Sequence, residues 1–392
     1  MKSLFLIILL TSVWAPSCLL ALEGPYTAAV RGVGQLIESG QGNLSIAALG
    51  GRYNIRLKTN DTPSGLPGLA LYHGYFRRAG ADQPIGLVAA SYFHNVLTLE
   101  FHSRRKRNLL IKIDHERGFV GRVRHRPAHK MGCHLLDEGK REPSSINRSV
   151  NLSDTPKTVS LGIDLDYEFV KAHASVDEAK ANVLQILNAV NVIYLKQLSI
   201  SFAVHDINAL KHPIPAFASY DADVLIDKFG KHVMKRGKKF GDLRHLFTGK
   251  DTALQGDKGL VGVAYVGVVC RDSNRSFGFT ELTHPSVQAL VTAHELAHNL
   301  GAGHDYTTPS LMYPRASATH TSFSVFSLYE ISNYLRQYGT CLREAVPSLR
   351  VDLRVRSGGS IKLISRASNF STDGCQAHMY ASRSKRRLSN VE

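Results

Sequence analysis

Apolar residues alternate with polar ones in short runs over the first third of the chain and recur at helical spacing beyond it. Leu97-Thr98-Leu99-Glu100-Phe101 and Leu109-Leu110-Ile111-Lys112-Ile113 flank the basic run Arg104-Arg105-Lys106-Arg107, a layout that predicts a β-hairpin with a charged tip. Val159, Leu161, Ile163 and Leu165 alternate with Ser160, Gly162, Asp164 and Asp166, which predicts a strand with one face toward a core. Ser175-Val176-Asp177-Glu178 reads as a capping box. It opens a helix with Val176, Ala179, Val183, Ile186, Leu187, Val190 and Ile193 on one stripe, ending near Asn188–Asn191. Leu198, Ile200, Phe202 and Val204 predict a second strand, and a second helix is expected from Ala222 to about Lys235. The stretch from Gly262 to Cys270 is glycine-interrupted and rich in strand formers. A buried helix should follow Pro285, with Val287, Ala289, Leu290, Val291 and Ala293 inside. Ser327-x-x-Glu330 predicts the start of a last helix closing at Gly339, and Val351 to Ile364 predicts a hairpin around Gly358-Gly359.

The candidate chemistry sits at the end of the helix that follows Pro285. Residues 294–305 read H-E-x-x-H-x-x-G-x-x-H-D. His294 and His298 fall one helical turn apart, so both imidazoles face the same way and can grip one metal ion. Glu295 is placed to act on a metal-bound water as general base. Gly301 permits a left-handed turn that brings in His304, and three protein ligands with an open position describe a hydrolytic zinc site. Ser310-Leu311-Met312-Tyr313-Pro314 follows and resembles the methionine-turn of the metzincin metalloproteases, a resemblance that implies Met312 as the floor beneath the metal.

Composition sets the compartment. Lys2, the apolar run Leu4–Leu10 and a small-residue region through Ala21 read as a secretory signal peptide cleaved near residues 18–22. No later stretch is long and apolar enough to span a bilayer, so no transmembrane anchor is expected. The net charge of +16 includes clusters at 104–107, 235–239 and 385–387; these read as solvated surface and processing sites, or as attraction to acidic glycans and anionic cell surfaces. No nucleic-acid partner is expected for an exported chain without a recognition motif. Asn43, Asn60, Asn147, Asn151, Asn274 and Asn369 each head a glycosylation sequon. Outside the signal the cysteines are Cys133, Cys270, Cys341 and Cys375.

Taken together, the histidine motif, the methionine segment and the order of strands and helices from 157 to 345 resemble the reprolysin (adamalysin) family of metzincin metalloproteases, in a short form without a disintegrin domain. The resemblance implies an α/β catalytic domain: a twisted, mostly parallel sheet with helices, an antiparallel edge strand, a zinc cleft and a methionine-turn. It divides the chain into a signal peptide (1–22), a β-rich prodomain (23–141), a linker (142–156), the catalytic domain (157–345) and a short basic extension (346–392). Lys140-Arg141 is the favoured activation cut. The implied function is a secreted zinc endopeptidase made as a latent precursor. One Zn²⁺ would be held by His294, His298 and His304, with Glu295 as base and protein or peptide substrates laid along Gly262, Val263, Ala264 and Tyr265. The resemblance pairs Cys270 with Cys341 and likens Cys133 to the prodomain cysteine that keeps related precursors silent, although Met131-Gly132-Cys133 inverts the usual order. A Cys133–Cys375 disulfide is the competing reading. The family's Ca²⁺ position has Ser160 where a glutamate is usual, leaving Asp242 and Glu344 as oxygen ligands. The short span from His304 to Met312 looks instead like the matrixins, so matrixin-like matrix degradation is the alternative specificity, and a non-catalytic cationic binder of glycans or receptors is the alternative class.

Overall fold

The computed structural model describes residues 33–48, 51–60, 65–103, 106–114, 119–123, 132–136, 156–236, 241–254, 259–283, 285–344, 351–355 and 361–365. The expected signal peptide, the expected cut at Lys140-Arg141, the expected linker up to 155, the sequons at Asn147, Asn151 and Asn369, the basic residues 385–387 and Cys375 lie outside them.

The alternating first third folds as an antiparallel meander. A short helix α1 (Val33–Ser39) leads into β1 (Gln41–Ala48), β2 (Gly51–Thr59), β3 (Ala70–Arg78), β4 (Gly86–Phe93), β5 (Val96–Ser103), β6 (Lys106–Asp114) and β7 (Phe119–Val123), paired in chain order. The hairpin expected around the basic run is β5 with β6. One face buries Leu44, Ile46, Ile55, Val88, Leu97, Leu99 and Ile111 with Leu36 of α1. The apolar residues on alternate positions make that face by period-two geometry alone.

The second large sheet has the order β10-β9-β11-β13-β12-β8. Its members are β9 (Lys157–Leu165), β10 (Ile200–Ala209), β11 (Leu243–Thr248), β12 (Leu260–Tyr265), β13 (Phe277–Glu281) and, from the N-terminal part of the chain, β8 (Gly132–Leu136). The first four in that order run parallel, and β12 is antiparallel to β13. The two-residue β14 (Arg343–Glu344) adds to β9. Helices α3 (Val176–Leu198) and α5 (Pro285–Asn299) share a core with the β9 side chains Val159, Leu161, Ile163 and Leu165, while α4 (Ala222–Lys235) packs Leu225, Ile226, Phe229 and Val233 against Leu246, Val263, Phe277 and Phe279. Helix α2 (Tyr167–Lys171) follows β9, and α6 (Val325–Tyr338) closes the domain. The separate C-terminal unit contains β15 (Val351–Val355) paired with β16 (Ile361–Ser365), the expected hairpin.

Several boundaries shift from the sequence reading. Helix α3 runs to Leu198, past Asn191, until Ser199 turns left-handed at φ 54°; Leu198 belongs to its buried last turn, so the second strand starts at Ile200. Strand β9 is buried on both faces, because Asp164 is covered by ion pairs with Arg244 and with Arg236 from the end of α4. Helix α6 begins three residues early, with Ser324 Oγ accepting the Ser327 N–H as its cap. Helix α3 also carries a second apolar stripe. Ala181 and Leu184 meet Leu69 and Leu71 of the N-terminal sheet, and Asn188 donates to the carbonyls of Tyr72 (3.1 Å) and Ala90 (3.0 Å). A helix packed on both sides shows weak amphipathicity, which is why only one stripe is legible in the sequence.

Candidate active site

Helix α5 starts at Pro285, where a missing N–H costs nothing, and stops at a Schellman turn. Gly301 at φ 94° donates to His298 O, and Ala302 N–H reaches back to Ala297 O at 3.0 Å. A side chain at 301 would strike Tyr334, its Cβ 2.7 Å from that ring's Cβ. The turn swings His304 back, and the ligand-capable atoms of His294, His298 and His304 lie within 4.8 Å of one another.

The tautomers decide what that cluster is for. His294 Nδ1 donates to Leu311 O at 2.6 Å and His298 Nδ1 to Ala302 O at 2.8 Å. Each ring therefore turns an Nε2 lone pair inward, and these two nitrogens stand 2.8 Å apart. Two lone pairs at that distance repel unless a cation joins them, and borderline-soft imidazole nitrogens are the donors zinc prefers. Burial pushes the His294 pKa down to about 4, against the opposing pull of the Leu311 carbonyl, so the ring is neutral and ligand-ready at pH 7. The residues present fit zinc.

Glu295 is fully buried with its carboxylate against Gly262 of β12: a methyl on that glycine would lie 2.4 Å from Oε1. Burial raises its pKa well above the usual carboxylate range, and a hydrogen bond with the Cys133 thiol pulls the other way. Cys133 is buried and unbridged, with its sulfur within 4.8 Å of ligand atoms of both His294 and Glu295. Burial first, then the charge and hydrogen bond of Glu295, push that thiol's pKa up. The sulfur lies at the site, and the Cys375 of the competing disulfide reading is outside the described residues.

Strand β8 carries Cys133 there. It pairs parallel with β12, placing Cys133 beside Gly262, His134 beside Val263, Leu135 beside Ala264 and Leu136 beside Tyr265. On its other side Cys133 N–H donates to Pro314 O at 3.0 Å, and Gly132 bridges Arg315 antiparallel. The edge expected to offer unpaired N–H and C=O groups is therefore filled by the chain's own strand, and a peptide-sized slot runs between β12 and the segment after Met312.

Met312 is wholly buried, and polar side chains from several elements hold the surrounding segments in place. Asp305 donates its N–H to Met312 O at 2.8 Å and accepts from the hydroxyls of Ser310 and Ser327. Glu330, expected in a capping role, instead accepts the Gly303 N–H at 2.8 Å. Tyr194 on α3 donates to Ala293 O at 2.7 Å, and Asn299 donates to Tyr265 O (2.9 Å) and Phe277 O (3.0 Å), locking α5 to both neighbouring strands. Only the Asp after the third histidine had a sequence signal.

Cys270 and Cys341 form a disulfide that ties the chain after β12 to the end of α6. Closing a loop of 71 residues is worth about 4 kcal/mol in the chain-entropy model. Of the oxygen ligands proposed for calcium, Asp242 Oδ2 accepts the Ser160 N–H at 2.8 Å and Glu344 pairs with Lys157 at 3.5 Å. Arg236, from the second basic cluster, is likewise spent on Asp164.

Residues 155–334 match the reprolysin model of metallo-peptidase family M12. Those residues form a reprolysin-like metallopeptidase domain. The chain is 27% identical over 190 residues to a zinc metalloproteinase-disintegrin-like protein of Cerberus rynchops, covering 46% of this chain and 30% of that one. It is 25% identical over 223 residues to zinc metalloproteinase-disintegrin-like atrase-B of Naja atra, covering 52% and 37%. A disintegrin and metalloproteinase domain-containing protein B of Trichophyton verrucosum matches at 25% over 184 residues, 41% and 23%. The chain thus spans between 23% and 37% of the length of these relatives. Metalloproteinase-II from Bacteroides fragilis has a similar fold, with a TM-score of 0.53 at 13% identity, over 77% of this chain and 94% of that one. Among the described residues no helix is long and apolar enough to cross a membrane.

Proposed function

We propose that the chain is a secreted zinc endopeptidase synthesised as a precursor that its own residues 132–136 keep silent. The observation that carries this reading is the meeting of Cys133 with His294 and Glu295 at the three-histidine cluster. Zinc held by His294, His298 and His304 would supply a Lewis acid that polarises the scissile carbonyl and acidifies water, and Cys133 is the chain's own group placed to compete with that water in the precursor.

The chain's own residues do the rest. In the mature enzyme, β12 and the Pro314–Arg315 segment hold a peptide substrate extended by its main chain, so binding tolerates many sequences. Glu295 takes a proton from the attacking water at its carboxylate and hands it to the leaving amine. Its dry setting raises its proton affinity, which favours the first half of that cycle, taking the proton from water. In the precursor, β8 occupies the substrate's place and Cys133 sets its sulfur beside His294 and Glu295, where the attacking water would otherwise sit. A binder of glycans or receptors would need neither Glu295 between two ligands nor a strand plugging the slot.

The test compares the uncut precursor with Cys133→Ala on a quenched fluorescent peptide library. Activity only in the variant is the expected result. Equal silence would place inhibition in sheet packing, and absence of cleavage by both variant and mature form, zinc-loaded, would remove the protease reading.

A further inference from the structure

The N-terminal sheet meets α3 away from the cleft, and a sequon residue sits in that contact. Asn60, head of Asn60-Asp61-Thr62, follows β2 and is half-buried. Its Nδ2 donates to Asn188 Oδ1 at 3.0 Å and stands 3.4 Å from His73 Nε2. His73 Nε2 in turn lies 3.2 Å from the carbonyl oxygen of Asn188. Asn188 is itself buried and spends its own Nδ2 on the β3 and β4 carbonyls of Tyr72 and Ala90. Asn60 N–H is fixed to Leu71 O at 2.7 Å. The Asn60 carboxamide is therefore the outer link of a hydrogen-bonded chain that pins α3 to the sheet. The other described sequons differ: Asn43 on β1 and Asn274, in the loop after Cys270, are exposed.

The same Nδ2 is the atom that N-glycosylation modifies. Transfer forms a bond from Nδ2 to the anomeric carbon of an oligosaccharide. It breaks that carbon's bond to oxygen in a polyprenyl-diphosphate donor, and one Nδ2 proton leaves with the diphosphate. The new carbon would sit about 1.45 Å from nitrogen, the length of a single C–N bond. With Asn188 Oδ1 at 3.0 Å and His73 Nε2 at 3.4 Å from that nitrogen, a sugar ring has no room while the sheet is seated.

We propose that glycosylation of Asn60 and seating of the N-terminal sheet on α3 exclude one another, making Asn60 a latch that a glycan would hold open. Asn43 and Asn274 accept glycans without consequence for docking. This rests on the reading of the chain as an exported precursor, since the transfer takes place in the secretory pathway.

The experiment expresses the full chain in a secreting eukaryotic host and maps its peptides after enzymatic deglycosylation in heavy-oxygen water, which marks each formerly modified asparagine. Latent precursor should carry the mark at Asn43 and Asn274 and have Asn60 bare. A silent precursor marked at Asn60 overturns the exclusion. Marks at no sequon overturn the export reading itself, and the exclusion with it. The second arm reads docking through the buried Cys133, as the rate at which a maleimide labels that peptide. Thr62→Ala, which removes the sequon and keeps Asn60, should leave the rate unchanged. Asn60→Ala, which strands the Asn188 acceptor, should raise it about tenfold. A rate for Asn60→Ala equal to that of the unmodified chain overturns the latch.

Discussion

Gly262→Ala tests the geometry of the cleft more sharply than any change to the metal ligands. Gly262 has an ordinary strand conformation in β12, so alanine meets no backbone penalty there. The added methyl would lie 2.4 Å from Glu295 Oε1 and 2.7 Å from its Cδ and Cγ. Ordinary contact needs about 1 Å more. Strand β12 is held by β13 on one side and backed by Asn299, so the carboxylate must yield. A displacement of that size at a reacting group costs on the order of 10²-fold in rate, while overpacking lowers stability by about 1–3 kcal/mol. The assay is kcat and KM of mature enzyme on a fluorogenic peptide, with zinc content and Tm measured on the same samples. The expected result is kcat down about 100-fold at unchanged zinc stoichiometry. A kcat within threefold of the unsubstituted enzyme would mean that Glu295 does not work from the position it has beside Gly262.

Three further outcomes are expected. Glu295→Ala should cut kcat by about 10³-fold and leave zinc bound, because the carboxylate serves the water; chelation should abolish activity of the unsubstituted enzyme and added zinc restore it. Replacing Cys270 and Cys341 by serine should lower Tm by roughly 10 °C, from the loss of about 4 kcal/mol of loop constraint; an unchanged Tm would show that the packing of α6 suffices. Glu100 is buried in the N-terminal sheet, 3.5 Å from His102, and burial raises its pKa from 4.5 to about 8. The folded state keeps a proton that the unfolded chain releases above 4.5, so this residue's contribution is full below that pH and is lost as pH rises to about 8. Glu100→Gln should therefore stabilise the precursor by up to about 3 kcal/mol at pH 7 and flatten that slope in urea titrations; a parallel slope in the variant would refute the assignment.

Much of the site is local and so was readable from residue types. The imidazoles of His294 and His298 share a face because a helix repeats every 3.6 residues, Gly301 must turn left-handed wherever that helix ends against Tyr334, and Met312 follows at a distance the chain can span. The strands of the N-terminal sheet are equally local, since alternation alone sorts Leu97 and Leu99 from Thr98 and Glu100. What tertiary structure decided is everything that depends on two distant segments meeting. Gly132-Cys133-His134-Leu135-Leu136 has no alternation to announce a strand; it is one because β12 and Pro314 supply hydrogen-bond partners more than 120 residues away. Tyr194 and Asn299 are ordinary polar residues until a buried carbonyl from elsewhere needs them. Asn60 reads as a sequon in the sequence and as an interface residue in the fold. A side chain's chemistry is set by its type, but its role is set by which buried groups the fold leaves for it to satisfy.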